Sequence, residues 1–136
     1  MNTILLTLLF AQTTIDLRLP PGLLESLCFV ESSHNVNAVH KQDGDADSLG
    51  VCQIKYATSK DLGFKGTPSE LMNPEINIYY AGKYLAKNIK RYHNIPKAVI
   101  AYNRGHAGDL VVTEYSNKVL SKWRQDGGRT AASYRN

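Results

Sequence analysis

The stretch Leu23-Leu24-Glu25-Ser26-Leu27-Cys28-Phe29-Val30-Glu31-Ser32-Ser33 constrains this chain more than any other. As a helix it places Leu24, Leu27, Cys28 and Glu31 at i, i+3, i+4 and i+7, on one face. A carboxylate then stands where the pattern calls for an apolar core residue. An ionised Glu held there loses hydration, so its protonated form is favoured and its pKa rises. That is the state a general acid needs near neutral pH. The competing reading is that the helix bends away after Val30 and Glu31 meets water at its end.

The remaining sequence sets bounds around that element. A length of 136 residues fits one domain with one sizeable core. The formal net charge of +4 favours anionic partners in general, but the Lys and Arg residues form none of the runs that mark nucleic-acid arms. Cys28 and Cys52 form no C-x-x-C motif, which leaves a metal or dithiol redox site without support. They are read as two small buried thiols in preference to a bridge. Met1–Gln12 carries an apolar run too short to span a membrane. It suits either the core of a secretory signal, cleaved near Ala11, or an N-terminal helix packed on the domain.

Pro20-Pro21 ends whatever precedes it and opens the Glu31 helix. Residues 34–50 read as irregular. The acids Asp43, Asp45 and Asp47 suggest a calcium loop, but Ser48 and Ile54 stand where an EF-hand needs Gly and Glu, so a solvated turn is expected. Ala57–Leu62 before Gly63 reads as a short helix, followed by a turn through Phe64–Pro68. Asn73-Pro74-Glu75 starts a helix whose apolar stripe is Ile78, Ala81, Leu85, Ile89 and Tyr92. Another helix begins at Pro96 and stops at Asn103-Arg104-Gly105; Tyr115, Val119 and Trp123 share a face of the last one. Residues 126–136 lack periodicity and read as a flexible tail. The fold class is mainly α.

Taken together, Glu31, then Ser48 and Gln53 around a glycine turn, then Tyr102-Asn103 at a helix end are unusual residues with plain alternatives. Gln53 can satisfy backbone groups, Tyr102 can be core, and Asn103 can be a helix stop. Their order resembles the lytic transglycosylase domain related to goose-type lysozyme. The matching blocks are Glu31-Ser32-Ser33-His34-Asn35 with Ala38-Val39, Ser48-Leu49-Gly50-Val51-Cys52-Gln53-Ile54, Asn73–Ile78 with Gly82–Leu85, Ala98–Gly105, and Tyr115–Leu120.

The resemblance implies a single lysozyme-like domain over residues 20–125 that cleaves peptidoglycan between N-acetylmuramic acid and N-acetylglucosamine. It assigns Glu31 as the one catalytic acid/base and Ser48, Gln53, Tyr102, Asn103 and Tyr115 as substrate-site residues. Tyr115 matches a tyrosine that reaches toward the catalytic Glu. No metal or cofactor is expected, and His34, His40, His93 and His106 show no HExxH-type spacing. The expected setting is a monomer in the bacterial periplasm or elsewhere outside the cytoplasm, in wall turnover, a secretion machine or a virion. The chain departs from the family where Val51-Cys52 precedes Gln53 in place of the commoner Leu-Met. The rival activities are hydrolysis, with Asp43, Asp45 or Asp47 holding water opposite Glu31, and a wall-binding module without turnover.

Overall fold

The structure, a computed structural model, describes residues 1–42 and 44–135, apart from the side chains of Asp45 and of 127–135. The described residues form helices α1 (Thr3–Asp16), α2 (Leu23–Ser32), α3 (Tyr56–Asp61), α4 (Pro68–Leu71), α5 (Pro74–Tyr92), α6 (Ile95–Arg104) and α7 (Glu114–Arg135). Short strands β1 (Val39–His40), β2 (Ser48–Leu49) and β3 (Ile54–Lys55) form an antiparallel sheet in the order β1-β2-β3. The class is mainly α, as the sequence predicts. No described helix is long and apolar enough to cross a membrane.

The helices begin and end where their chemistry dictates. Asn73 caps α5 by accepting from Glu75 N and Ile76 N, with Pro74 in the first turn; Asn94 caps α6 through Lys97 N, ahead of Pro96. Gly105 ends α6 at φ 89°, in the left-handed region that glycine occupies without steric penalty. Thr67 and Glu70 form a reciprocal capping box on α4, a helix that the sequence reading passes over as a turn. The backbone of α7 continues through residues expected to be a flexible tail. Asn136 and the side chains from 127 on lie outside the described residues.

Two apolar clusters make up the interior. The larger joins Leu6 and Phe10 of α1, Leu23, Leu24, Leu27 and Cys28 of α2, Ile78, Ala81 and Leu85 of α5, Val99 of α6, and Val119 and Trp123 of α7. The smaller comprises Leu49, Ile54 and Leu71 under Tyr56, Phe64 and Tyr80. Side-chain alternation in the sheet explains the second cluster. Leu49 pairs with Ile54 and both are buried, so their neighbours, the paired Ser48 and Lys55, face the other way. A helical lobe and a small sheet lobe therefore meet along the β2–β3 turn.

Two sequence expectations need correction. Residues 34–50 are not only a solvated turn: they contain β1, a 3-10 turn at Gly44–Ala46 and β2. Strands of two residues are too short to show an alternating pattern. Cys28 and Cys52 are not free thiols but a disulfide, with Cα atoms 4.4 Å apart. The inward face of α2 lies directly against the Val51–Gln53 turn, an approach between segments distant in sequence.

Candidate active site

Glu31 lies one residue before the end of α2, and Ser33, at φ 55°, turns the chain out of the helix after it. The helix does not bend away after Val30, so Glu31 keeps the register of Leu24, Leu27 and Cys28 and is half-buried. Tyr115 of α7 donates its hydroxyl to Glu31 Oε2 at 2.6 Å. Burial raises the Glu31 pKa from 4.5 to about 7, and the Tyr115 hydrogen bond, which favours the ionised form, opposes the rise. Tyr115 itself is pushed well above 10, first by burial and then by the charge and hydrogen bond of Glu31, so it remains a donor.

Glu31 opens onto a cleft of about 190 Å³ between the lobes. Four of the sequence-predicted residues, Ser48, Gln53, Tyr102 and Asn103, share that cleft with it. Tyr115 approaches Glu31 from behind and does not line the cleft. The sequence reading missed Lys55, Thr58, Tyr84 and Arg104 among the lining residues. Tyr84 and Arg104 lie within blocks that matched the family, whereas Lys55 and Thr58 reach the cleft only through the sheet and α3.

The polar groups differ in what they have free. Gln53 Nε2 donates to Ala38 O at 3.0 Å and Gly50 O at 2.9 Å, which leaves its carbonyl oxygen for other partners. Tyr102, buried beside the cleft, donates its hydroxyl to Cys52 O at 2.7 Å; it offers a ligand its ring and oxygen lone pairs. Its pKa is pushed well above 10 by burial and by the nearby Glu31 and Tyr84. Ser48 and Asn103 have no side-chain partner among the described residues, so they remain free as donors.

The turn between β2 and β3 is held from several sides. The Cys28–Cys52 disulfide ties it to α2, and Ser32 Oγ donates to Val51 O at 2.6 Å. Fully buried Asn77 of α5 accepts from Cys52 N at 2.9 Å and donates to Leu49 O at 2.8 Å and Leu71 O at 2.9 Å. A Cβ on Gly50 would lie 2.4 Å from Asn77 Nδ2, and its φ is +78°, so only glycine fits. Asn77 is a positioning residue that sequence reasoning did not single out, although a polar residue beside the Ile78 stripe was the available signal.

Among the described residues, no three His, Cys, Asp or Glu side chains gather as metal ligands would. Asp47 is engaged elsewhere: its carboxylate accepts from Gln42 N at 2.8 Å and lies 3.4 Å from Lys41 Nζ. Asp43 and the side chain of Asp45, the other acids proposed to hold water, lie outside the described residues.

Residues 9–134 match the profile of the Transglycosylase SLT domain. The chain belongs to that family. It is 32% identical over 89 residues to Protein IpgF of Shigella flexneri, covering 64% of this chain and 59% of that one. It is 37% identical over 73 residues to the endo-type membrane-bound lytic murein transglycosylase A of Salmonella paratyphi B, covering 48% of this chain and 34% of that one. The matched stretch is thus less than two thirds of either relative's length. No solved structure matches the chain.

Proposed function

We propose that this SLT domain cleaves the β-1,4 bond between N-acetylmuramic acid and N-acetylglucosamine in peptidoglycan and leaves a 1,6-anhydromuramic end. The observation that carries the reading is Glu31: a cleft-facing carboxyl whose pKa lies at about 7 because burial and the Tyr115 hydrogen bond pull in opposite directions. A group near that value serves in both protonation states.

Protonated Glu31 donates to the leaving glycosidic oxygen as the anomeric centre takes on oxocarbenium character. The substrate's own acetamido group stabilises that centre. Ionised Glu31, now held by Tyr115, then takes the proton of the C6 hydroxyl as its oxygen closes the anhydro ring. Ser48 and Asn103 supply neutral donors to the sugar, and Gln53 supplies a carbonyl acceptor. Support against a hydrolytic route comes from the lining residues: Glu31 is the only acid among those described, and Asp47 is already paired. The domain acts outside the cytoplasm, in the bacterial envelope; the Cys28–Cys52 disulfide supports an oxidising compartment.

The test is digestion of purified peptidoglycan followed by mass analysis of the products. Wild type is expected to release fragments lighter by one water than reducing-end fragments, and Glu31→Gln none. Products with ordinary reducing ends would establish hydrolysis, and undiminished lysis by Glu31→Gln would remove Glu31 from catalysis.

A further inference from the structure

The cleft carries two cations that the mechanism above does not use. Lys55 comes from β3 in the sheet lobe and Arg104 from the last turn of α6 in the helical lobe, and both line the same cavity as Glu31. Neither makes an ion pair or a side-chain hydrogen bond among the described residues. Other cations near aromatic rings are differently engaged: Lys60 lies 4.4 Å from the Tyr56 ring centroid, and Lys122 lies 4.1 Å from that of Phe29.

Both side chains are exposed to solvent while lining the cleft, so their charges are open to a ligand that enters it. With Glu31 protonated, the described lining has no negative charge and two unpaired positive ones.

From this placement we infer that Lys55 and Arg104 form an anion subsite that reads a carboxylate carried by the glycan strand. The inference rests on the proposed glycan-cleaving role of the cleft and names the feature of the substrate that it selects. Carboxylates on such a strand come from two sources: the lactyl ether of a peptide-free muramic residue, or the peptide attached to it. A neutral N-acetylglucosamine polymer has neither. Arg presents a planar fork to a carboxylate and Lys a point charge, so each wall of the cleft offers a carboxylate a cationic partner.

The experiment uses the full chain carrying Glu31→Gln, which separates binding from turnover. Calorimetric titration compares a neutral N-acetylglucosamine tetramer, the alternating muramic-containing tetramer without peptides, and the same tetramer with peptides. At least one acidic ligand is expected to bind about tenfold more tightly than the neutral one, with the preference erased by high salt. A preference for both acidic ligands identifies the lactyl carboxylate, and a preference for the peptide-bearing one alone identifies the peptide.

Adding Lys55→Gln and Arg104→Gln should bring the acidic ligands to the neutral level. Exchanging the cations, Lys55→Arg with Arg104→Lys, should keep the preference. Equal binding of all three tetramers, a preference untouched by salt, or equal weakening of all three by the Gln pair overturns the inference. If wild type yields no anhydro products while the charge-dependent preference persists, it is the proposed reaction that fails and not the subsite.

Discussion

The proposed reaction asks Glu31 to hold a proton and then to exist as a carboxylate, and burial favours the first state while destabilising the second. Tyr115 offsets that by donating to Glu31 Oε2 at 2.6 Å, a bond that favours the ionised form. Replacing it by Phe removes the influence that lowers the Glu31 pKa, so the pKa rises above about 7. The alkaline limb of the kcat/KM profile should then move to higher pH, with up to about a tenfold loss at the optimum. A shift to lower pH would mean that Tyr115 does not act through the carboxylate. The same proton affects stability. The folded chain keeps it up to about pH 7, whereas an unfolded carboxyl loses it near 4.5. The stabilisation is thus present in full below 4.5 and is lost as pH rises through 7. Glu31→Gln abolishes that dependence. Between pH 4.5 and about pH 8, its unfolding free energy should improve relative to wild type by about 2 kcal/mol, a figure reduced for partial exposure. Urea unfolding at the two pH values measures it, and parallel losses in both chains would show that the proton belongs to another group.

At the scale of elements, the site depends on how firmly the β2–β3 turn is held against α2 and α5. Asn77→Ala leaves Leu49 O, Leu71 O and Cys52 N without their buried partner and should cost about 3 kcal/mol. Cys28→Ala with Cys52→Ala opens a loop of sequence separation 24 and should cost about 3 kcal/mol as well. Both changes act on one turn, so the combined variant should fall short of the sum; strict additivity in denaturant melts would mean that the two restraints are independent. This clamp is also where the sequence was hardest to read. The α5 and α6 boundaries were legible to within a residue because Asn73-Pro74, Pro96 and Gly105 act locally, through caps and fixed φ, although the Asn94 cap that starts α6 at Ile95 was not read. The disulfide, the three short strands and the Asn77 bonds join residues far apart in the chain, with no local signature of the partner. Glu31 stood out by its place on the apolar face of its helix, and Ser48, Gln53, Tyr102 and Asn103 by the order of blocks, whereas Lys55 and Thr58 became visible only when the sheet and α3 brought them to the same cleft.

For the molecule as a whole, the open question in the sequence was the apolar N-terminus. Periodicity could not decide between a packed helix and a secretory signal, because residues 1–15 contain no charge to mark a solvent face. In the folded chain α1 buries Leu6, Phe10 and Thr13 and leaves Ile4, Leu5, Leu8 and Ile15 exposed. Phe10 also meets the His34 ring at 5.1 Å between centroids, and His34 Nε2 lies 3.0 Å from Glu25 O. On this geometry α1 packs against His34, which follows the helix that carries Glu31 and contacts Glu25 in its first turn. Phe10→Ala should therefore cost about 3 kcal/mol. A chain beginning at Gln12, the product of cleavage after Ala11, loses Leu6 and Phe10 together. Its expected loss of about 5 kcal/mol is comparable with the whole stability of many domains of this size. Comparing urea midpoints of the full and shortened chains decides the matter. A collapse of the midpoint makes α1 part of the catalytic domain's core, and an unchanged midpoint makes residues 1–11 dispensable to the fold and fit for removal during export.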